Sequence, residues 1–207
     1  MNHGKIVCIG QNYRAHAKEM HSEAPTEPMI FLKASTSLIG DGDDIEALEV
    51  GRVDHEVELA LVIGKRAKRV AEEDALAHVS HIAVFNDITA RDMQSKARKA
   101  GQPWALSKSM DTFAPMSVPI LLSSVKDVHD LDLELRVNGE LRQKGNTSDM
   151  VFPPERLIAY ISRYITLEEG DIIATGTPEG VSPLNHGDLV EAEIKGVGRV
   201  SNRFLRI

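Results

Sequence analysis

Glu56-Val57-Glu58-Leu59-Ala60-Leu61-Val62-Ile63 is the stretch on which the fold turns. Val57, Leu59, Leu61 and Ile63 lie on one face of a period-two strand, and Glu56, Glu58, Ala60 and Val62 on the other. The wholly apolar face must lie on a core, which sets the register. Outward from it, His81–Phe85 reads as a buried-type strand stopping at Asn86-Asp87, and Lys5–Ile9 as a short apolar strand closed by Gly10. Leu131–Val137 and Glu140–Gln143 flank Asn138-Gly139, a strong short-range hairpin signal. Asp171–Ala174, Leu189–Ile194 and Arg199–Leu205 make the C-terminal half β-rich.

Helices are fewer. Glu72–Val79 follows a charged start, and Arg91–Ala100 stops at Gly101. Pro154–Ile165 opens with Pro and Glu, then spaces Leu157, Ile158, Ile161 and Ile165 at helical intervals. Strands outnumber helices and do not alternate with them regularly. That disfavours a doubly wound sheet and predicts an α+β, β-rich fold: an antiparallel or mixed sheet with a few peripheral helices.

The 207 residues fit one domain over 1–207, with no repeat or linker to force a split. The charge balance, 24 Lys+Arg against 31 Asp+Glu, argues against nucleic acid or an anionic membrane as the main partner. A lone Cys8, in an apolar run, excludes an intrachain disulfide and suits a reducing compartment. No signal-peptide core follows Met1, and no apolar run is long enough to span a membrane, so a soluble, cytoplasmic protein is expected. Phosphate-loop, dinucleotide, zincin and serine-elbow motifs are all missing.

Glu56 and Glu58 share a strand face at a spacing at which two carboxylates can converge on one hard cation; taken alone, the strand is more simply read as antiparallel with a solvated face. Asp87, at a strand exit, is either a turn residue or a third carboxylate of that set. Three oxygen ligands would favour Mg²⁺ or Mn²⁺ over zinc. His16 and Glu19, three apart on a helical turn, could pair to hold a water, or be merely solvated. Arg91 and Gln94 share a helix face beyond Asp87, and Lys108 sits in a polar break after Trp104. An arginine fork suits a carboxylate and a lysine point charge a developing enolate, although a solvated basic helix with Lys96, Arg98 and Lys99 accounts for the helical residues as well. The turn Thr175-Gly176-Thr177-Pro178-Glu179-Gly180 could offer donors to an anion. His78 and His81 read as structural.

Taken in order, these blocks resemble the fumarylacetoacetate hydrolase family. They are Gly10-x-Asn12-Tyr13-x-x-His16-x-x-Glu19-Met20, Phe31-x-Lys33, His55-Glu56-x-Glu58, Asn86-Asp87-x-x-x-Arg91-Asp92-x-Gln94, Lys108-x-x-Asp111, Asn138-Gly139 and Thr175-Gly176-Thr177-Pro178-x-Gly180. One departure is Ala34 after Phe31-x-Lys33, where relatives often carry Pro. The resemblance implies a mixed β-sandwich roll, usually a homodimer, with Mg²⁺ or Mn²⁺ on Glu56, Glu58 and Asp87. It implies His16 and Glu19 as a water-activating dyad on a lid that orders on substrate binding. Arg91, Gln94, Lys108 and Thr177 would contact the α-keto-carboxylate end of a small anionic substrate, Lys108 also stabilising the enolate. The expected activity is hydrolysis of the C–C bond of 3-acylpyruvates, such as fumarylpyruvate or acetylpyruvate, with oxaloacetate decarboxylation possible at the same site. The alternatives are a 2-hydroxyhepta-2,4-diene-1,7-dioate isomerase or decarboxylase and, more remotely, a non-catalytic small-anion binding module.

Overall fold

Eleven strands build two facing sheets in the computed structural model, which describes residues 4–19 and 25–207. Met1–His3 and Met20–Ala24, including the Met20 of the first motif block, lie outside the described residues. In chain order the strands are β1 (Ile6–Gly10), β2 (Met29–Lys33), β3 (Asp44–Ala47), β4 (Val57–Ile63), β5 (Val79–Asn86), β6 (Ile120–Leu121), β7 (Asp132–Val137), β8 (Glu140–Asn146), β9 (Ile172–Ala174), β10 (Leu189–Ile194) and β11 (Gly198–Arg206). The helices are α1 (Arg14–Glu19), α2 (Arg91–Lys99), α3 (Ala105–Lys108) and α4 (Pro154–Tyr164). One sheet runs β6-β5-β4-β9-β1-β2 and the other β8-β7-β10-β11-β3. Both are mixed: the neighbours β1 and β9 are parallel, as are β11 and β3, and the remaining pairs are antiparallel. The α+β, β-rich architecture read from the sequence is the one observed.

The main core lies between the sheets. Val7, Leu59, Leu61, Val84 and Ile173 from the six-stranded sheet meet Leu133, Leu135, Val190, Ile194 and Phe204 from the five-stranded one. Leu157, Ile158 and Ile161 of α4, spaced to form one apolar stripe, join the same core. The Asn138-Gly139 hairpin forms as expected, with both residues left-handed (φ 52° and 80°), the conformation a type I′ turn requires. Gly101, at φ 66°, lies just beyond the end of α2. Among the described residues no helix is long and apolar enough to cross a membrane.

Three expectations change. First, β4 begins at Val57, because the Glu56 N–H is taken by the Asn86 side chain (2.9 Å) rather than by a strand. Second, Glu72–His78 winds as a 3₁₀ helix, with Val79 already part of β5. Third, β4 has no wet face, since all seven of its residues are buried. Its second face packs into a smaller cluster with Ile6, Cys8, Ala83, Phe85, Ile172 and Ala174.

That second cluster exists because the sheet curls. Lys33 on the edge strand β2 and Asp87, just past β5, are separated by four strand spacings, roughly 19 Å in a flat sheet. Yet the Lys33 ammonium lies 2.6 Å from the Asp87 carboxylate. Only a rolled sheet brings them together, and the alanines and cysteine on its inner face are small enough to permit the roll.

Leu59, fully buried in mid-strand, tests the main core. Leu59→Ala should cost about 2–5 kcal/mol in urea unfolding, the usual range for a buried leucine truncation. A loss under about 1 kcal/mol would mean that the two sheets do not pack as described.

Candidate active site

Register places three carboxylates together. Val57 pairs with Asn86 and Glu58 with Phe85, so Glu56 and Asp87 fall opposite one another just beyond the ladder. Residues 56, 58, 85 and 87 therefore share the inner face of the roll. On the other side, Ala60 pairs with Ala174, which sets Gly176 beside Glu58. The Gly176 N–H donates to Glu58 Oε2 at 2.8 Å. A side chain at Gly176 would meet Asn12 Cβ at 2.6 Å, and its φ of 99° further excludes one. Glu56, Glu58 and Asp87 are all buried, and one ligand atom from each lies within 4.8 Å of the others.

Burying this much negative charge requires cations. Lys108 Nζ bridges Glu56 (2.8 Å) and Asp87 (2.5 Å), and Lys33 holds the other Asp87 oxygen. Arg91 donates through Nη2 to Glu56, through Nη1 to Gln94 Oε1 (2.7 Å) and through Nε to the buried Asp54 (2.7 Å). Asp54 is held in turn by Arg52 at 2.7 Å. Burial would raise the Glu56 pKa, but the Lys108 ammonium and Arg91 guanidinium overcome this and hold it well below the ordinary carboxylate range. Glu58 has no cation in hydrogen-bond contact among the described residues. Burial, and then the charges on Asp87 and Glu56, push its carboxyl well up. Burial opposes charge on Lys108 too, but Asp87 and Glu56 raise its pKa on balance.

His16 and Glu19 form the expected pair on α1, Nδ1 to Oε2 at 3.1 Å, with His16 buried. The second Glu19 oxygen accepts from the Gly180 N–H at 3.1 Å, tying the pair to the turn after β9. Thr177 Oγ1 accepts from Gln143 Nε2 at 2.8 Å, a bond that does not use its own hydroxyl hydrogen. Gln143 Oε1 accepts from the Val57 N–H and faces His55 Nδ1 at 2.8 Å, so Nδ1 carries the proton. Burial lowers the His55 pKa and favours neutral imidazole, whose Nε2 then accepts from Ser182.

His16, Glu56, Glu58, Asp87, Arg91, Gln94, Lys108 and Thr177 line one cavity, joined at its rim by Gln11, Phe31, Arg98 and Trp104. Of the nine residues singled out in the sequence, only Glu19 lies outside this lining, and it contacts His16. The sequence assigns no role to Lys33, Asp54, Asn12 or Gln143. Asn12 is fully buried and joins Phe152 and Thr175 through three hydrogen bonds of 2.7–3.0 Å. His78 and His81 stay outside the cluster, bonded to Lys65 O and Ser80 Oγ. Cys8 is buried, and burial raises its thiol pKa.

The donor set fits a divalent cation: three converging carboxylate oxygens, no nitrogen or sulfur, and one carboxyl that lacks a cationic partner. Residues 5–205 match the C-terminal domain of fumarylacetoacetate (FAA) hydrolase. The chain belongs to the fumarylacetoacetate hydrolase family. Within it, the chain is 48% identical to a mitochondrial oxaloacetate tautomerase of Arabidopsis thaliana, over 95% of this chain and 88% of that protein. The fumarylpyruvate hydrolase of Pseudomonas aeruginosa, crystallised with Mn²⁺ and pyruvate, superposes with a TM-score of 0.94 at 32% identity, covering 99% of this chain and 91% of that one. The 2-hydroxyhepta-2,4-diene-1,7-dioate isomerase of Mycobacterium marinum reaches a TM-score of 0.87 at 36% identity, covering 99% and 75%.

Asp54 anchors Arg91 from outside the carboxylate triad. Asp54→Asn, which keeps the shape and removes the charge, should cost about 1.5–3 kcal/mol in chemical denaturation. Arg52→Ala, which removes its half-exposed partner, should cost under about 1 kcal/mol. Equal losses would place the anchor elsewhere.

Proposed function

We propose that this family member is a divalent-metal-dependent enzyme that makes and protonates the enol or enolate of short 2-oxo acids, oxaloacetate keto–enol tautomerisation being its leading activity. One observation carries the reading: the buried carboxylate triad faces Lys108 and Arg91 in the cavity that His16 lines. The near-half identity to oxaloacetate tautomerases supports the choice of substrate. Mg²⁺ or Mn²⁺, held by Glu56, Glu58 and Asp87, would supply Lewis acidity to the carboxylate and 2-oxo oxygens.

The chain's own residues do the rest. Arg91 and Gln94 bind the carboxylate, with the Thr177 hydroxyl as a further donor. Glu19 accepts a hydrogen bond from His16 Nδ1–H, leaving Nε2 as a base. His16 takes a proton from C3, that electron pair becomes the C2–C3 double bond, the 2-oxo oxygen takes a proton from solvent, and His16 returns its proton to solvent. Lys108 places its positive charge near the oxygen that becomes negative. The reaction is an isomerisation and consumes nothing.

A second reading, 3-acylpyruvate hydrolysis, is favoured by the double anchoring of Glu19 to His16 and Gly180, which orients a base for water as well as for carbon. There His16 would deprotonate a water that adds to the distal acyl carbonyl. The bond from that carbon to C3 breaks, and pyruvate leaves as its enolate, to be protonated at C3.

Two measurements test the proposal. Mn²⁺ should raise the melting temperature of the wild type, by about 2.7 kcal/mol of added stability at a hundredfold excess over Kd, and Glu58→Gln should abolish the shift. Loss of oxaloacetate enol, followed by ultraviolet absorbance, should accelerate with the enzyme, fall back to the uncatalysed rate in EDTA and accelerate again with Mn²⁺. An enzyme-independent rate overturns the tautomerase reading. Glu19→Ala should slow acetylpyruvate cleavage by about 10²–10⁴-fold if the dyad activates water.

A further inference from the structure

We infer that Arg98 is a specificity residue that reads the distal carboxylate of the substrate, so that the site prefers 2-oxo dicarboxylates to 2-oxo monocarboxylates. The inference rests on the proposed function, which places the 2-oxo-carboxylate end at the triad. Arg91, Gln94 and Arg98 follow one another at i, i+3 and i+7 along α2, a single helix face, and all three line the cavity. Arg98 lies roughly 10 Å farther along the axis than Arg91. Helical side chains lean toward the N-terminus, which carries this long side chain back over Gln94 toward the cavity.

The cations of the floor are already engaged. Lys33, Lys108 and Arg91 each hold carboxylates of the protein, and Arg91 is the cation assigned above to the 2-oxo-acid end of the substrate. The Arg98 side chain, exposed at the rim, makes no hydrogen bond or ion pair among the described residues. The rim also carries the edge-to-face pair Phe31 and Trp104, 5.7 Å between centroids, whose rings can flank carbon and carry no positive charge of their own. A dianion anchored at the floor thus meets one unengaged guanidinium at its other end. Lys96 and Lys99 on the same helix are absent from the lining.

The test uses two unreactive 2-hydroxy acids that differ in the distal carboxylate, malate and lactate, titrated calorimetrically into the Mn²⁺-loaded protein. The wild type should bind malate about five- to tenfold more tightly than lactate, the range expected of one solvent-accessible charged contact. Arg98→Met, which keeps the aliphatic stem, should bring the two affinities within about twofold, and Arg98→Lys should keep part of the preference. The wild-type preference should shrink at high salt. A malate preference that survives Arg98→Met overturns the inference while leaving the proposed function standing. If neither acid shows Mn²⁺-dependent binding to the wild type, the anchor at the triad fails, and the inference falls with it.

Discussion

Burying several carboxylates side by side is the constraint on which the rest of this structure depends. Asp54, Glu56, Glu58 and Asp87 are each at most 5% exposed, and each ionised carboxylate brought out of water costs several kcal/mol unless paired. Lys33, Lys108 and Arg91 answer three of the four charges from nearly as deep, while Arg52 contributes from the surface. Four buried acids against three buried bases leave one negative charge over. It falls at Glu58, whose only described hydrogen bond is the Gly176 N–H and whose carboxyl resists ionisation. A divalent cation suits that imbalance better than another lysine, because it can address all three oxygens of the triad at once.

The curl of the six-stranded sheet follows from the same demand. Lys33 can reach Asp87 only if β2 swings round toward the far side of the sheet, and a sheet rolls this tightly only when its inner face is nearly empty of bulk. Cys8, Ala60, Ala83 and Ala174 keep it so, with Phe85 as the largest filler. At the end of the roll, glycine replaces alanine at 176, where the Asn12 side chain crosses behind the turn. Apart from Ile6 and Ile172 in the smaller cluster, the large aliphatic residues of the same strands point the other way, into the core between the sheets. Strand alternation thus divides labour: the outward-facing set holds the fold, and the inward-facing set holds the site.

This division explains what the sequence discloses. Glu56 and Glu58 stand out because period two is visible in a single strand, and His16 with Glu19 because three residues make nearly one helical turn. Asp87 is conspicuous as a charge ending an apolar run. The alternation of acids with small apolar residues looks like a solvated face, and only the curl turns it into an enclosed one. Asp54 and Lys33 escape notice for another reason. Their importance lies in register and in contact across four strands, neither of which leaves a local pattern. β2 itself is four apolar residues, Met29–Leu32, before a lysine, equally readable as a loop that packs.

The placement of Glu19 ties the two ends of the site together. One of its oxygens faces His16 and the other receives the Gly180 N–H, so α1 and the turn after β9 share a single carboxylate. Gly180 is itself constrained: it is left-handed at φ 94°, and a Cβ there would lie 2.1 Å from the Arg142 carbonyl oxygen. Arg142 precedes Gln143, whose amide holds Thr177, Pro178 and, through His55, the residue next to Glu56. The imidazole, the threonine hydroxyl and the first carboxylate of the triad are therefore linked through hydrogen bonds and the short stretches of chain between them. Gly180, Gln143 and His55 supply no charge to the reaction. They set the distance between the group that moves the proton and the groups that hold the enolate.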